Sequence, residues 1–281
     1  MKKFFTVLIL FFLLAESSLA EEKRLLFSLY PQGNKSVPAF IELTEYISEK
    51  LKIHFNPVFE PNYSNATRML ANKEVDFAFL CSGPYVIGKE RYGIEALVAI
   101  KPAFNMDYRA YIVVPFSSSA KTFQDLKGRS FAFVDLQSYT GRLVPLYMIK
   151  KMGEKPTNFF SDTIYAKSHE AAFQAVLDGK VAGSSVISLL VEHFFRVDPT
   201  LRKKVKIIEK SEKAGFPVFA TVRYASDKEK AAFKNVLLNM HKDAKGRKIL
   251  QKLEIEHFYE PKDTEYDLIR KQFKEVKEFV P

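Results

Sequence analysis

A chain of 281 residues with 47% hydrophobic side chains can bury one large core or two ordinary ones, which excludes a disordered protein. Its formal charge of +10 comes mainly from lysines spread over solvated helix faces, and without an RNA- or DNA-binding motif it indicates no nucleic-acid partner. Cys81 is the single cysteine, so the chain has no intrachain disulfide.

Residues 1–20 carry two lysines, an apolar run from Phe4 to Ala15 and small residues toward Ala20, the pattern of a cleaved secretory signal shorter than a membrane anchor. No cysteine follows the apolar run, so no lipid anchor is expected. The mature protein is then expected to start near Glu21, in the periplasm. Losing Lys2, Lys3 and Glu16 lowers the charge from +10 to +9.

Short β-favouring runs then alternate with longer amphipathic ones. Leu25 to Tyr30 reads as a strand. Val37 to Leu51, with Phe40, Leu43, Ile47 and Leu51 on one face, reads as a helix. Ile53 to Phe59 is a strand, Ser64 to Asn72 a helix capped by Ser64, and Val75 to Leu80 a strand. Tyr85 to Arg91 is a helix, and Ile94 to Ile100 and Tyr108 to Pro115 are strands. After the Ser117 to Ser119 loop, a second cycle begins around Phe123 to Leu126. It has strands at Phe131 to Val134, Thr163 to Ala166, Val181 to Val186 and Val205 to Ile208. Its helices end at Met152 and span Ser168 to Leu177 and Ser188 to Phe195. Val218 to Val222 is again a strand, and beyond it only helices are predicted: Asp227 to Met240, Ala244 to Leu253 and Thr264 to Glu278.

This alternation predicts an α/β protein of two lobes, each a mostly parallel sheet flanked by helices. Residues 21–112 plus 218–281 would form one lobe and 113–217 the other, with crossings near Val113 and Pro217. The strand ends would then meet across a cleft, where open α/β sheets collect ligands. Tyr30 to Gln32, Asn62 to Ser64 and Cys81 to Tyr85 would face Ser138 to Gly141 and Lys167 to His169. Each loop leads into a helix start, where free N–H groups and the helix dipole favour an anion. For Ser138 or Thr140 taken alone, a plain N-cap is the better explanation of the pattern.

Phe131-Ala-Phe-Val-Asp135 followed by Ser138-Tyr-Thr-Gly141 and Leu143-Val-Pro145 resembles the ligand loop of the periplasmic phosphate-, phosphite- and phosphonate-binding proteins of ABC transporters. Asp76 to Leu80 with Gly83-Pro-Tyr85, Leu126-Lys-Gly128, Ser168 to Ala172 and Ala175 to Lys180 match the same family in order. The resemblance implies a type II periplasmic binding protein fold, a small oxyanion ligand and an ABC permease partner. It implies that Ser138, Thr140 and Gly141 donate to the head group, with Tyr85 lining the cleft from the first lobe and His169 reaching in from the second. Ser82, Tyr30, Tyr63 and Tyr139 complete the candidate set. Two features depart from the family pattern. Tyr139 stands where a small hydroxyl residue is usual, and the run Val181 to Ser188 has no carboxylate, which argues against aminoalkyl ligands.

Cys81, at a predicted helix start, is expected to have a lowered pKa if it serves a thiophilic metalloid, and to be an inert buried thiol otherwise. The first case would suit a sensory binding protein reporting to a sensor kinase. No nucleophile–base pair, His-Glu-x-x-His or zinc spacing is present. The reading is therefore a monomeric binding protein, not an enzyme, with no cofactor.

Overall fold

The computed structural model describes residues 22–28 and 33–279; the predicted signal and Tyr30 lie outside them. The strands are β1 (Glu22–Phe27), β2 (His54–Phe59), β3 (Phe77–Leu80), β4 (Ile94–Pro102), β5 (Ala110–Pro115), β6 (Ser130–Phe133), β7 (Asp162–Tyr165), β8 (Gly183–Ile187), β9 (Val205–Lys210), β10 (Val218–Val222) and β11 (Ile255–Tyr259). The α-helices are α1 (Val37–Leu51), α2 (Tyr63–Ala71), α3 (Ser82–Tyr92), α4 (Val144–Lys151), α5 (Pro156–Phe159), α6 (His169–Leu177), α7 (Ser188–Val197), α8 (Asp227–Asn239), α9 (Ala244–Lys252) and α10 (Asp267–Glu275). Among the described residues no helix is long and apolar enough to cross a membrane.

One sheet has the order β11-β4-β10-β3-β1-β2 and the other β7-β6-β8-β5-β9. In the first, β1 pairs parallel with β2 and β3, while β10 lies antiparallel between β3 and β4. In the second, β6 pairs parallel with β7 and β8, while β5 lies antiparallel between β8 and β9. Both sheets are therefore mixed, not mostly parallel as expected: in the first, β10 and the edge strand β11 run against the other four, and in the second, β5 runs against the other four. The predicted two-lobed α/β architecture is observed.

The reversed strands β5 and β10 follow the chain's two crossings. Ala214 donates its N–H to the carbonyl of Tyr108 at 3.0 Å and Ser211 to that of Ala110 at 2.9 Å, so the crossings run side by side. All of β5 belongs to the second sheet, which places the first crossing before Ala110, upstream of the expected Val113.

Phenylalanine fills both cores. In the first lobe the Phe77 and Phe233 rings stack with centroids 4.0 Å apart; in the second, Phe131 and Phe160 stack at 4.3 Å and Phe123 and Phe159 at 5.3 Å. α1 is buried at Phe40, Leu43 and Ile47, as its spacing requires, and ends at Lys52 in the left-handed region.

Two further expectations fail. Only helices were expected after Val222, yet Ile255–Tyr259 is a strand at the edge of β4. A register shift between Ile255 and His257 buries Ile255 and Phe258, three positions apart, a spacing that reads as helical in sequence. α2 is capped by Asn62 and not by Ser64: the Asn62 side chain accepts the N–H of Asn65 at 2.8 Å.

Candidate functional site

The loop between β6 and α4 owes its shape to Pro145. Proline has no N–H to give to the carbonyls one turn back, so those of Thr140 and Gly141 need other donors. The Ser185 hydroxyl of β8 donates to the Thr140 carbonyl, and the N–H of Val134 donates to that of Gly141 at 3.2 Å. The turn Tyr139–Leu143 widens into a π-helix, a form common at functional sites. The Ser138 hydroxyl accepts the Gly141 N–H at 3.0 Å, so these two predicted head-group donors are already bonded to each other. Gly141 packs so closely that a Cβ there would lie 2.4 Å from the Val134 side chain.

Thr140 is different. Its hydroxyl is buried and has no hydrogen-bond partner among the described residues, as is true of the Tyr139 hydroxyl and of His169 Nε2. Nδ1 of His169 accepts the N–H of Ile187 at 3.2 Å, which puts the ring proton on Nε2. Burial lowers the imidazole pKa from 6.5 to about 3, so the ring is a neutral donor. Ser168, accepting the Ala171 N–H at 3.0 Å, caps α6 and sets His169 in its first turn.

Across the cleft, three helix starts of the first lobe each meet an acceptor from the second. The Glu170 carboxylate accepts the Asn34 N–H at 2.9 Å, in the turn leading into α1. The Asp135 carboxylate accepts the Tyr63 N–H at 3.4 Å, at the start of α2. At α3, Gly83 sits against the Gln137 carbonyl, where a Cβ would come within 2.3 Å of the oxygen. Carboxylates of the second lobe thus take an N–H at two of these helix starts. Burial is the main influence on Asp135 and raises its pKa. The crevice left between Ser28, Gly33, Tyr63, Ser168, His169 and Glu170 holds about 20 Å³, room for about one water.

The other predicted residues divide. Tyr63 and His169 line the crevice. Ser82 is buried, but its hydroxyl donates to the Gly215 carbonyl at 2.6 Å, tying α3 to the second crossing. Tyr85 packs edge-on against Tyr266, centroids 4.8 Å apart, within the first lobe. The lowered pKa considered for Cys81 is not found. Its thiol lies 3.0 Å from the Tyr108 hydroxyl, and burial pushes its pKa up, outweighing the nearby donors Tyr108, Gly83, Tyr139 and Ser82.

Four residues of this region were not predicted as site residues. Tyr108, in the first crossing, bonds Cys81 and faces the Tyr139 ring, centroids 6.3 Å apart. Asp135, Glu170 and Ser185 complete the set. None of the four had a local signal; Pro145 marks carbonyls that need another donor, but the Ser185 hydroxyl that meets the Thr140 carbonyl comes from a strand 45 residues away.

The profile of a family described as "ABC transporter, phosphonate, periplasmic substrate-binding protein" matches residues 27–266. A binding component of an ABC phosphonate transporter from Pseudomonas aeruginosa superposes with a TM-score of 0.83 at 19% identity, over 91% of this chain and 86% of its own. PhnD1 from Prochlorococcus marinus, solved with methylphosphonate, gives 0.79 at 15% identity, over 91% and 98%. The aliphatic sulphonate binding protein SsuA of Escherichia coli gives 0.60 at 15% identity, over 93% and 94%.

Proposed function

Since the chain belongs to the periplasmic substrate-binding family of ABC phosphonate transporters, we propose that it captures a small phosphonate, phosphite or phosphate between its lobes, with Thr140, Tyr139 and His169 contacting the head group. A component of this kind delivers a small ligand to an ABC permease and catalyses no reaction.

The observation that carries the ligand assignment is that three of the five buried side-chain polar atoms without a partner among the described residues, on Tyr139, Thr140 and His169, belong to the two second-lobe loops that face the cleft, the other two being on His241 and Gln272. Leaving such atoms unpaired costs about 1–3 kcal/mol each, a cost that an oxyanion bonded to them would remove. The two hydroxyls can donate or accept and so suit a head group carrying P–OH, while His169 only donates. The Tyr139 ring against Tyr108 takes up space a longer alkyl chain would need. Asp135 and Glu170 are committed to helix starts, so an ammonium tail finds no free carboxylate from these two. In this reading the protein acts as a monomer exported by residues 1–20. The sensory reading gains no support from Cys81, whose thiol is buried and bonded.

Calorimetry on refolded, ligand-stripped protein with methylphosphonate, phosphite, phosphate and sulfate tests the assignment. Heat with a phosphorus oxyanion is expected; none with any of them, from a folded sample, overturns it.

A further inference from the structure

Arg142 lies in the same turn as Thr140 and is 7% exposed. Its guanidinium makes three bonds in three directions. Nη1 donates to the Leu136 carbonyl at 3.0 Å, within the head-group loop, and Nε donates to the Tyr165 hydroxyl at 2.8 Å, at the end of β7. Nη2 donates to the Phe279 carbonyl at 2.9 Å. Phe279 belongs to the C-terminal segment, whose helix α10 packs against both α3 of the first lobe and α4 of the second. That segment also holds the far end of α4: Lys150 donates to the Glu275 carbonyl and pairs with the Glu278 carboxylate at 3.0 Å. The helix that starts with the head-group turn is therefore gripped at both ends by residues 275–279. Among the described residues no carboxylate pairs with Arg142, so its role is not that of one half of an ion pair.

We infer that Arg142 is a positioning residue for the oxyanion site, coupling the C-terminal segment to the loop that carries Thr140. The guanidinium fork fixes Leu136 relative to the turn, and Phe279 fixes the guanidinium. Lysine cannot replace it, because a single ammonium cannot span three acceptors set in a plane. The C-terminus thus forms part of the support of the binding site, although it touches no ligand.

The test compares full-length protein, Arg142→Lys, Arg142→Gln, a chain ending at Val276, and the combined Arg142→Gln truncation. It reads amide hydrogen exchange over residues 135–143 without ligand, and calorimetry with methylphosphonate. Each single change is expected to speed exchange in that loop by about 10- to 100-fold, the range for losing a hydrogen bond to a charged group. Each should weaken methylphosphonate binding by a similar factor with a small change in melting temperature. In exchange over residues 135–143 the combined variant should be no worse than Arg142→Gln alone, since the Phe279 contact reaches that loop through the guanidinium, while the Lys150–Glu278 pair lies at the other end of α4. Unchanged loop exchange in the truncated chain, additive effects, or full function in Arg142→Lys would each overturn the inference. The affinity readout rests on the proposed function and the exchange readout does not. A wild-type protein deaf to methylphosphonate would count against that function while exchange still decides the coupling.

Discussion

The Glu170 carboxylate, one residue from His169, accepts the Asn34 N–H at 2.9 Å and closes the cleft beside the imidazole donor. Gly33 makes the approach possible, because a Cβ there would lie 2.9 Å from the carboxylate. This contact exists only with the lobes together, so its energy adds to the closed form and to ligand retention. A carboxylate at a helix start is worth about 1 kcal/mol. Glu170→Ala is therefore expected to weaken methylphosphonate binding roughly fivefold, mostly through faster release. Stopped-flow displacement measures this, and an unchanged release rate would remove Glu170 as a latch.

Gly83 tests closure from the other side. Its added Cβ in Gly83→Ala would meet the Gln137 carbonyl at 2.3 Å and the Tyr139 nitrogen at 2.8 Å, backbone atoms that cannot turn aside. Forced overpacking costs about 1–3 kcal/mol, charged here to the closed form alone. Affinity should fall roughly 10- to 100-fold while the unliganded protein melts as before. Small-angle scattering should show the ligand-induced contraction of the wild type lost in the variant. A variant that contracts normally would refute the argument.

Thr140→Val should separate function from stability. The hydroxyl is buried without a partner among the described residues, so a methyl of the same shape removes a desolvation cost and should leave the fold as stable or up to about 1 kcal/mol more stable. Methylphosphonate affinity should drop about tenfold. Calorimetry and thermal melting on the same sample check both signs together; loss of stability with retained affinity would mean the hydroxyl serves the fold.

How much of this was legible in the sequence depends on how local the cause is. α1 and β10 appear with the predicted bounds because burial follows their own periodicity, and Ser168 caps α6 because capping acts within one turn. The strand, turn and helix around Ser138 to Gly141 were legible, but not which hydroxyl in the turn is left without a partner. That is settled by Ser185 on another strand, by the Ser138 to Gly141 bond and by the missing N–H of Pro145. Tyr85 follows Ser82 by three positions on α3, yet its ring turns to Tyr266 and not to the cleft. Glu170 reads as an ordinary acid in a first helical turn; its partner is 136 residues away, and nothing near it in sequence indicates the contact. Tyr108 was read as the first residue of a strand, but β5 begins at Ala110, and only the packing of the lobes brings the Tyr108 hydroxyl to Cys81 and its ring to Tyr139.

His169 gives stability a dependence on pH whose sign is fixed. Burial lowers its folded pKa from 6.5 to about 3, so the unfolded chain takes up a proton that the folded protein refuses. The contribution of His169 is complete above pH 6.5, and it is lost progressively as pH falls from there toward 3. At pH 5 the loss is on the order of 2 kcal/mol. His169→Gln keeps an acceptor for the Ile187 N–H and an N–H in place of Nε2, but cannot titrate. Its melting temperature should therefore fall less than that of the wild type between pH 7.5 and 5. Carboxylates held low by ion pairs, such as Glu229 beside Lys23 with its pKa at about 2, lose their contribution further down, so this window isolates the histidine. Parallel pH profiles for the two proteins would mean that the imidazole is not held neutral, and with it would go the assignment of Nε2 as a fixed donor to the oxyanion.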